Sequence, residues 1–240
     1  MTDEEKMKNY RLSYTKVTDK TLPDGNEDFP VLPCEIEVVP DYLCLYKNLN
    51  EYHKTKNTCV CFYEYDKDFD SINGLFNAIY YDDKNLLNKY AKRFKDVWMV
   101  IEPDYSQVRD IETIENKYRQ FKARVVGLWF LTELKIPVIP NINYAGRCSF
   151  SYMLDGIKEA KTLAISLKGI MNKTVEENLL KEVIKFVIDN TKVKQFIVYS
   201  CGLNDEKIDE YFEYAKYKKI KYFVTDNLLR LRNIDLSKKR

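Results

Sequence analysis

From residue 58 onward the chain alternates between short, nearly continuous apolar runs and longer stretches in which apolar residues recur every three or four positions. The runs are TCVCFYEY (58–65), VWMVIE (97–102), IPVIPNIN (136–143), TLAISL (162–167), KQFIVYS (194–200) and IKYFVT (220–225). Hydrophobicity that is continuous rather than alternating predicts parallel strands covered on both faces. The intervening stretches predict amphipathic helices. In 113–135, Tyr118, Phe121, Val125, Leu128, Trp129 and Thr132 share one face. In 174–192 the stripe is Val175, Leu179, Val183 and Val187, with Leu180, Ile184 and Ile188 beside it. In 205–219, Ile208, Tyr211, Phe212 and Ala215 repeat the helical spacing. Thr174 followed by Glu177 fits a capping box, and 71–94 reads as helical with a break at Tyr81-Asp82-Asp83.

Successive strands start 26 to 39 residues apart, about the size of a βαβ unit. About six mostly parallel strands alternating with helices predict a single α/β domain over 58–240. Right-handed crossovers leave two forms: a TIM-barrel-like or partial barrel, or an open doubly wound sheet. The barrel-like form is favoured because every strand is followed by a helix and no glycine-rich dinucleotide loop is present. Residues 1–57 differ. Pro23, Pro30, Pro33 and Pro40 punctuate them, so an irregular segment packing on the domain is expected there.

Composition narrows the chemistry. The 240 residues include 39 basic and 37 acidic side chains, a net charge of +2 that names no partner. No apolar run approaches the roughly 18 residues of a membrane-spanning helix. The first 30 residues lack the apolar core of a signal peptide, so a cytoplasmic location without membrane association is expected. Six cysteines (34, 44, 59, 61, 148 and 201) include no C-x-x-C pair, which disfavours structural zinc. Cys59 and Cys61, two apart in a strand, face the same way and read as small core residues. His53 is the sole histidine and lies in the polar stretch NEYHKTKN, a surface loop, which argues against histidine-based catalysis.

Parallel α/β sheets bind ligands at the carboxyl ends of their strands. The polar residues expected there are Glu64, Asp66 and Asp68; Asp104 and Ser106 in EPDYS; Asn141 and Asn143 in PNIN; Ser166 and Lys168 in SLKG; Ser200 and Cys201 in YSCG; Thr225 and Asp226 in VTDN. Asp104, with Asp66 or Asp226, would suit Mg²⁺ and metal-assisted phosphoester chemistry; equally, Asp104 and Ser106 would serve as turn caps. The Asn141 and Asn143 amides share a face and suit a base edge or sugar hydroxyl, or satisfaction of backbone groups beside Pro140. Gly169 and Gly202 permit close backbone approach to an anion, although neither turn matches a P-loop. Cys201 as a thiolate nucleophile lacks a histidine base.

Charge is unevenly distributed. NKYRQFKAR (116–124) carries Lys117, Arg119, Lys122 and Arg124. The end is also basic, from Arg230 through Lys238, Lys239 and Arg240, whereas residues 1–57 hold 11 acids against 8 bases. This separation reads as a phosphate-binding surface or as a solvated helix face.

Several segments taken in order, CVCFYEYDKDFDSI, EPDYSQVRD, the Arg124–Gly127–Trp129 helix, IPVIPNINY, FSYMLDGI, AISLKG and VYSCG, resemble the DUF4417 family, an uncharacterised group of bacteria, archaea and phage or mobile elements. The resemblance covers roughly residues 28–202, with Tyr144 near a position where the family more often has Trp. It implies a phage or mobile-element setting, hence the host cytoplasm if phage-encoded. It also marks Asp104, Ser106, Arg109, Arg124 and Asn141 as recurring positions, and carries no known activity. Three functional expectations follow. The favoured one is an accessory protein that binds nucleic acid, a nucleotide, or a host or phage protein at its strand ends. The second is a Mg²⁺-dependent phosphoester enzyme using Asp66, Asp104 and Asp226. The third is an interaction module docking through residues 1–57.

Overall fold

A computed structural model describes residue 2 and residues 13–170 and 174–238. Pro23–Asp24 (β1) and Phe29–Pro30 (β2) form a small antiparallel pair. The other strands are parallel: Tyr42–Leu45 (β3), Thr58–Cys61 (β4), Met99–Ile101 (β5), Val138–Ile139 (β6), Asn141–Ile142 (β7), Thr162–Ser166 (β8), Gln195–Tyr199 (β9) and Lys221–Val224 (β10). They form two four-stranded sheets, ordered β3-β4-β5-β6 and β7-β8-β9-β10. The principal helices are Leu75–Tyr80 (α1), Lys84–Arg93 (α2), Thr113–Thr132 (α3), Thr174–Asn190 (α4), Asp205–Tyr211 (α5), Glu213–Tyr217 (α6) and Leu228–Lys238 (α7).

The sheets meet at two seams. At the first, β6 and β7 are consecutive, separated only by Pro140. Val138 and Ile139 pair with β5, whereas Asn141 and Ile142 pair with β8. Proline has no N–H to extend the first ladder, and its carbonyl instead accepts from Ala164 N at 2.8 Å. At the second seam Tyr42 in β3 forms a parallel bridge with Asp226, just past β10, and Leu43 N donates to Asp226 O at 2.8 Å.

Strand residues sort by parity into two apolar layers. Leu43, Leu45, Cys59, Cys61, Met99, Ile101, Ile139, Ala164, Ile197 and Tyr199, drawn from both sheets, make one cluster. Their neighbours Val60, Val100, Val138, Leu163, Phe196 and Val198 face the helices and pack with Val125, Leu128, Leu180, Val183, Val187, Ile208 and Phe212. Burial on both faces is the physical reason for the continuous runs, each fully buried aliphatic contributing about 1.5–3 kcal/mol. Cys59 and Cys61 are fully buried in the first cluster, and His53 is exposed.

All six expected strands are present, as is the break between α1 and α2. Asp82 there takes φ 54°, and the Asp83 carboxylate caps α2, accepting from Asn85 N at 3.1 Å and Leu86 N at 3.2 Å. Three expectations are corrected. The proline-punctuated segment is not wholly irregular, because Tyr42–Leu45 forms a fully buried strand paired with β4; Pro40 precedes that strand and interrupts no ladder. Tyr118 is 43% exposed and lies outside the core stripe, with its ring edge-on to Phe76. Glu177 is not seen capping α4: Tyr211 donates to its carboxylate at 3.0 Å and Lys207 lies 3.3 Å away. The turn before α4, residues 171–173, lies outside the described residues.

Candidate functional site at the strand ends

Strands β5, β6–β7, β8 and β9 are adjacent and parallel, so PDYS, PNIN, SLKG and YSCG leave the sheets side by side at one end. A buried ion pair anchors this rim. Glu102 alternates out of β5 toward α3, and Arg124 meets it from the helix; both side chains are fully buried. The Glu102 carboxylate accepts from Arg124 Nη1 and also from Asn141 N at 2.9 Å, the first N–H after Pro140. Arg124 Nε donates to Asp155 O at 3.1 Å and Nη2 to Met153 O at 3.2 Å. With the Gln120 amide turned so that its oxygen faces the guanidinium, that oxygen accepts from both η nitrogens at 2.9 and 2.8 Å. Burial pushes the Glu102 carboxyl up, while Arg124 and the Asn141 N–H oppose it. Such a pair holds position rather than adding net stability, because desolvation offsets much of its Coulomb energy.

Above this anchor runs a chain of polar contacts. The buried Tyr63 hydroxyl donates to Asn141 Oδ1 at 2.9 Å, and Asn141 Nδ2 donates to Asp104 Oδ1 at 2.8 Å. Asp104 keeps partial solvent contact. Burial pushes its carboxyl up to about 7; Asp66 and Glu102 add to the rise, while the Asn141 hydrogen bond and Lys168 oppose it. A carboxyl poised there holds or releases a proton near neutrality, the property a general acid or base needs. Lys168 reaches across the rim, Nζ donating to Tyr63 O at 2.8 Å and lying 5.7 Å from the exposed Tyr65 ring.

The remaining residues divide between this group and structural roles. Asn143 donates to Tyr105 O. Ser166 Oγ accepts from Lys168 N at 3.2 Å, and Gly169 takes φ 90° with open space where a side chain would stand. Ser200 is fully buried: its carbonyl accepts from Asn227 Nδ2 at 2.9 Å, while its hydroxyl and that of Thr225 have no hydrogen-bond partner among the described residues. Gly202 is exposed near Asn233. Arg109 pins the loop after β7, with Nε donating to Ala145 O at 2.9 Å and Nη2 2.8 Å from Glu176. Burial raises the Cys201 thiol, which disfavours a thiolate nucleophile.

The three expected metal carboxylates are engaged separately. Asp66 accepts from Ser106 N at 3.0 Å and Ser106 Oγ at 2.8 Å, and Arg119 approaches it at 3.5 Å. Asp226 is exposed, 3.8 Å from Arg230. Among the described residues no three His, Cys, Asp or Glu side chains converge to hold a metal.

In the basic stretch 116–124 the four cations are paired with carboxylates, three of them partly exposed and Arg124 fully buried. Lys117 pairs with Glu27, Arg119 with Glu115 at 3.0 Å, Lys122 with Asp70 at 2.5 Å, and Arg124 with Glu102. Asn116 and Gln120 are buried beside them. In the basic end, Arg230 pairs with Asp205 at 2.7 Å, while Lys239 and Arg240 lie outside the described residues. Sequence reading missed Glu102, Tyr63 and Gln120 as parts of the site. Glu102 carried a signal: one charge closing an otherwise apolar strand immediately before Pro103.

No helix among the described residues is long and apolar enough to cross a membrane. No solved structure matches the chain. Two curated relatives do, each named "Gene 1 protein". That of Mycobacterium phage L5 is 28% identical over 127 residues, 52% of this chain and 55% of the relative. That of Mycobacterium phage D29 is 26% identical over 129 residues, 52% of this chain and 47% of the relative. The chain thus spans about half the length of these phage relatives. The family description "Domain of unknown function (DUF4417)" matches residues 24–218, and the segments that suggested the likeness fall inside that span. The chain belongs to the DUF4417 family.

Proposed function

We propose that the two sheets act as halves of one barrel-like layer whose strand-end rim binds a nucleobase-type ligand, with Asp104 exchanging a proton with it. The role we infer is that of an accessory protein of a phage or mobile element, a setting supported by the phage origin of the two relatives. The observation that carries the reading is the Tyr63–Asn141–Asp104 chain ending on a carboxyl pushed up to about 7. A carboxyl that is neutral or ionised at small cost donates to or accepts from the ring nitrogens and exocyclic groups of a base. Lys168 and the exposed Tyr65 ring flank it, supplying a cation and an aromatic face.

The other readings gain less. The helix 116–124 spends its cations on carboxylates, which removes the main support for a nucleic-acid surface there. Asp66 is hydrogen-bonded to Ser106, and Asp226 stands exposed 3.8 Å from Arg230 without joining Asp66 and Asp104 in a group of three among the described residues, which weakens the Mg²⁺-dependent alternative. Docking through residues 1–57 has against it that β3 is built into the sheet.

Calorimetric titration with free nucleobases and nucleosides from pH 5.5 to 8.5 tests the proposal. Expected is binding whose affinity changes across pH 7 in the wild type and loses that dependence in Asp104→Asn. Absence of binding by every base, or an unchanged pH profile in the variant, refutes it.

A further inference from the structure

A second site lies away from Asp104, where the chain leaving β3 meets α2. Tyr46, Leu49, Asn73, Leu86, Lys89, Tyr90, Lys92 and Arg93 line a cleft of about 590 Å³. The lining holds three cations and no acid. The cations along α3 pair with carboxylates, whereas Lys89 and Lys92, like Lys67, Lys95 and Lys181, have no ion-pair partner among the described residues. Both are exposed and stand one turn apart on α2, on the same side of the helix.

Arg93 is held ready between them and the cleft floor. Its guanidinium lies 3.7 Å from the Tyr46 ring centroid, Nε donates to the Tyr52 hydroxyl at 3.1 Å, and Nη2 donates to Tyr46 O. Two of its nitrogens are thereby fixed, and Nη1 is bonded to no group among the described residues. Tyr90 donates to Asn73 O at 2.9 Å, which sets its ring as a wall, and Leu49 and Leu86 complete an apolar surface. A pre-oriented guanidinium with two flexible ammonium groups matches a phosphate, whose oxygens take charge-assisted hydrogen bonds. The aromatic and leucine walls match a flat heteroaromatic body, and the volume accommodates one nucleotide rather than a folded partner.

We propose that this cleft is a mononucleotide site, in which Lys89, Lys92 and Arg93 hold the 5′-phosphate and the Tyr90 and leucine surface takes the base. The proposal stands independently of the Asp104 rim. Calorimetric titration at low salt with AMP, adenosine and inorganic phosphate tests it on the wild type, Lys89→Glu/Lys92→Glu and Asp104→Asn. AMP is expected to bind roughly tenfold or more tightly than adenosine, the double variant to lose that preference, and Asp104→Asn to retain it. Both lysines are exposed, so the double variant is expected to fold, checked by its thermal transition. The proposal is overturned if AMP and adenosine bind equally or not at all. It is also overturned if the double variant keeps the preference, in which case the lysines serve only the helix C-terminus, or if the preference follows Asp104.

Discussion

Asp104→Asn offers a test of the electrostatics independent of any ligand. The carboxyl is pushed up from 3.8 to about 7 in the folded chain. Between those values the native state holds a proton that the unfolded chain has released, so this group makes stability fall as pH rises. The cost is absent below pH ~4 and complete above pH ~7. A shift of about three units corresponds to a ceiling of about 4 kcal/mol; the partial exposure of Asp104 reduces this toward about 2 kcal/mol. Asn has nearly the same shape, and its carbonyl still accepts from Asn141, so the variant removes the titration while keeping the contact. Urea denaturation of both proteins at intervals from pH 4.5 to 8 gives a difference in unfolding free energy. Taking the difference cancels Glu64, whose carboxyl burial also raises, and leaves the coupling between Asp104 and Glu102 as part of what is measured. The wild type is expected to lose about 2–4 kcal/mol relative to the variant across that range. A flat difference means that Asp104 has an ordinary carboxyl, and a difference of opposite slope means that its charge is stabilised; either result refutes the reasoning.

Two further perturbations probe what holds the rim. Glu102→Gln leaves Arg124 charged and fully buried without its carboxylate, and a loss of about 3–5 kcal/mol is expected in urea denaturation; combining it with Arg124→Met should restore part of the loss. Gly156 has φ 80°, and a Cβ there would stand 2.6 Å from Pro30 O. Gly156→Ala should therefore cost about 1–3 kcal/mol, read as a lowered thermal midpoint.

Much of the fold was legible because a parallel strand buried on both faces needs apolar residues at both parities. The runs at 58–65, 97–102, 162–167 and 194–200 carried that requirement, and their strands stand where the pattern put them. Tyr42–Leu45 satisfies the same requirement in only four residues, too few to stand out among prolines. The site was partly legible: PDYS, PNIN, SLKG and YSCG do emerge together. The state of each polar side chain was not, because partners lie far along the chain. Asp66 is claimed by Ser106, forty residues on, and Tyr63 reaches Asn141 across seventy-eight.

The sequence by itself determined the alternation of strand and helix, the buried character of Cys59 and Cys61, the exposed position of His53, and the likeness to DUF4417. These depend on local periodicity and on the order of short segments, which need no knowledge of what meets what. Tertiary structure alone decided that Arg124 lies in the core against Glu102 rather than on a basic face, and that Asp66, Asp104 and Asp226 meet different neighbours. It also decided that Asp104 is raised toward neutrality. Charge pairing and desolvation act through space and vary steeply with distance and burial, and one-dimensional spacing encodes neither.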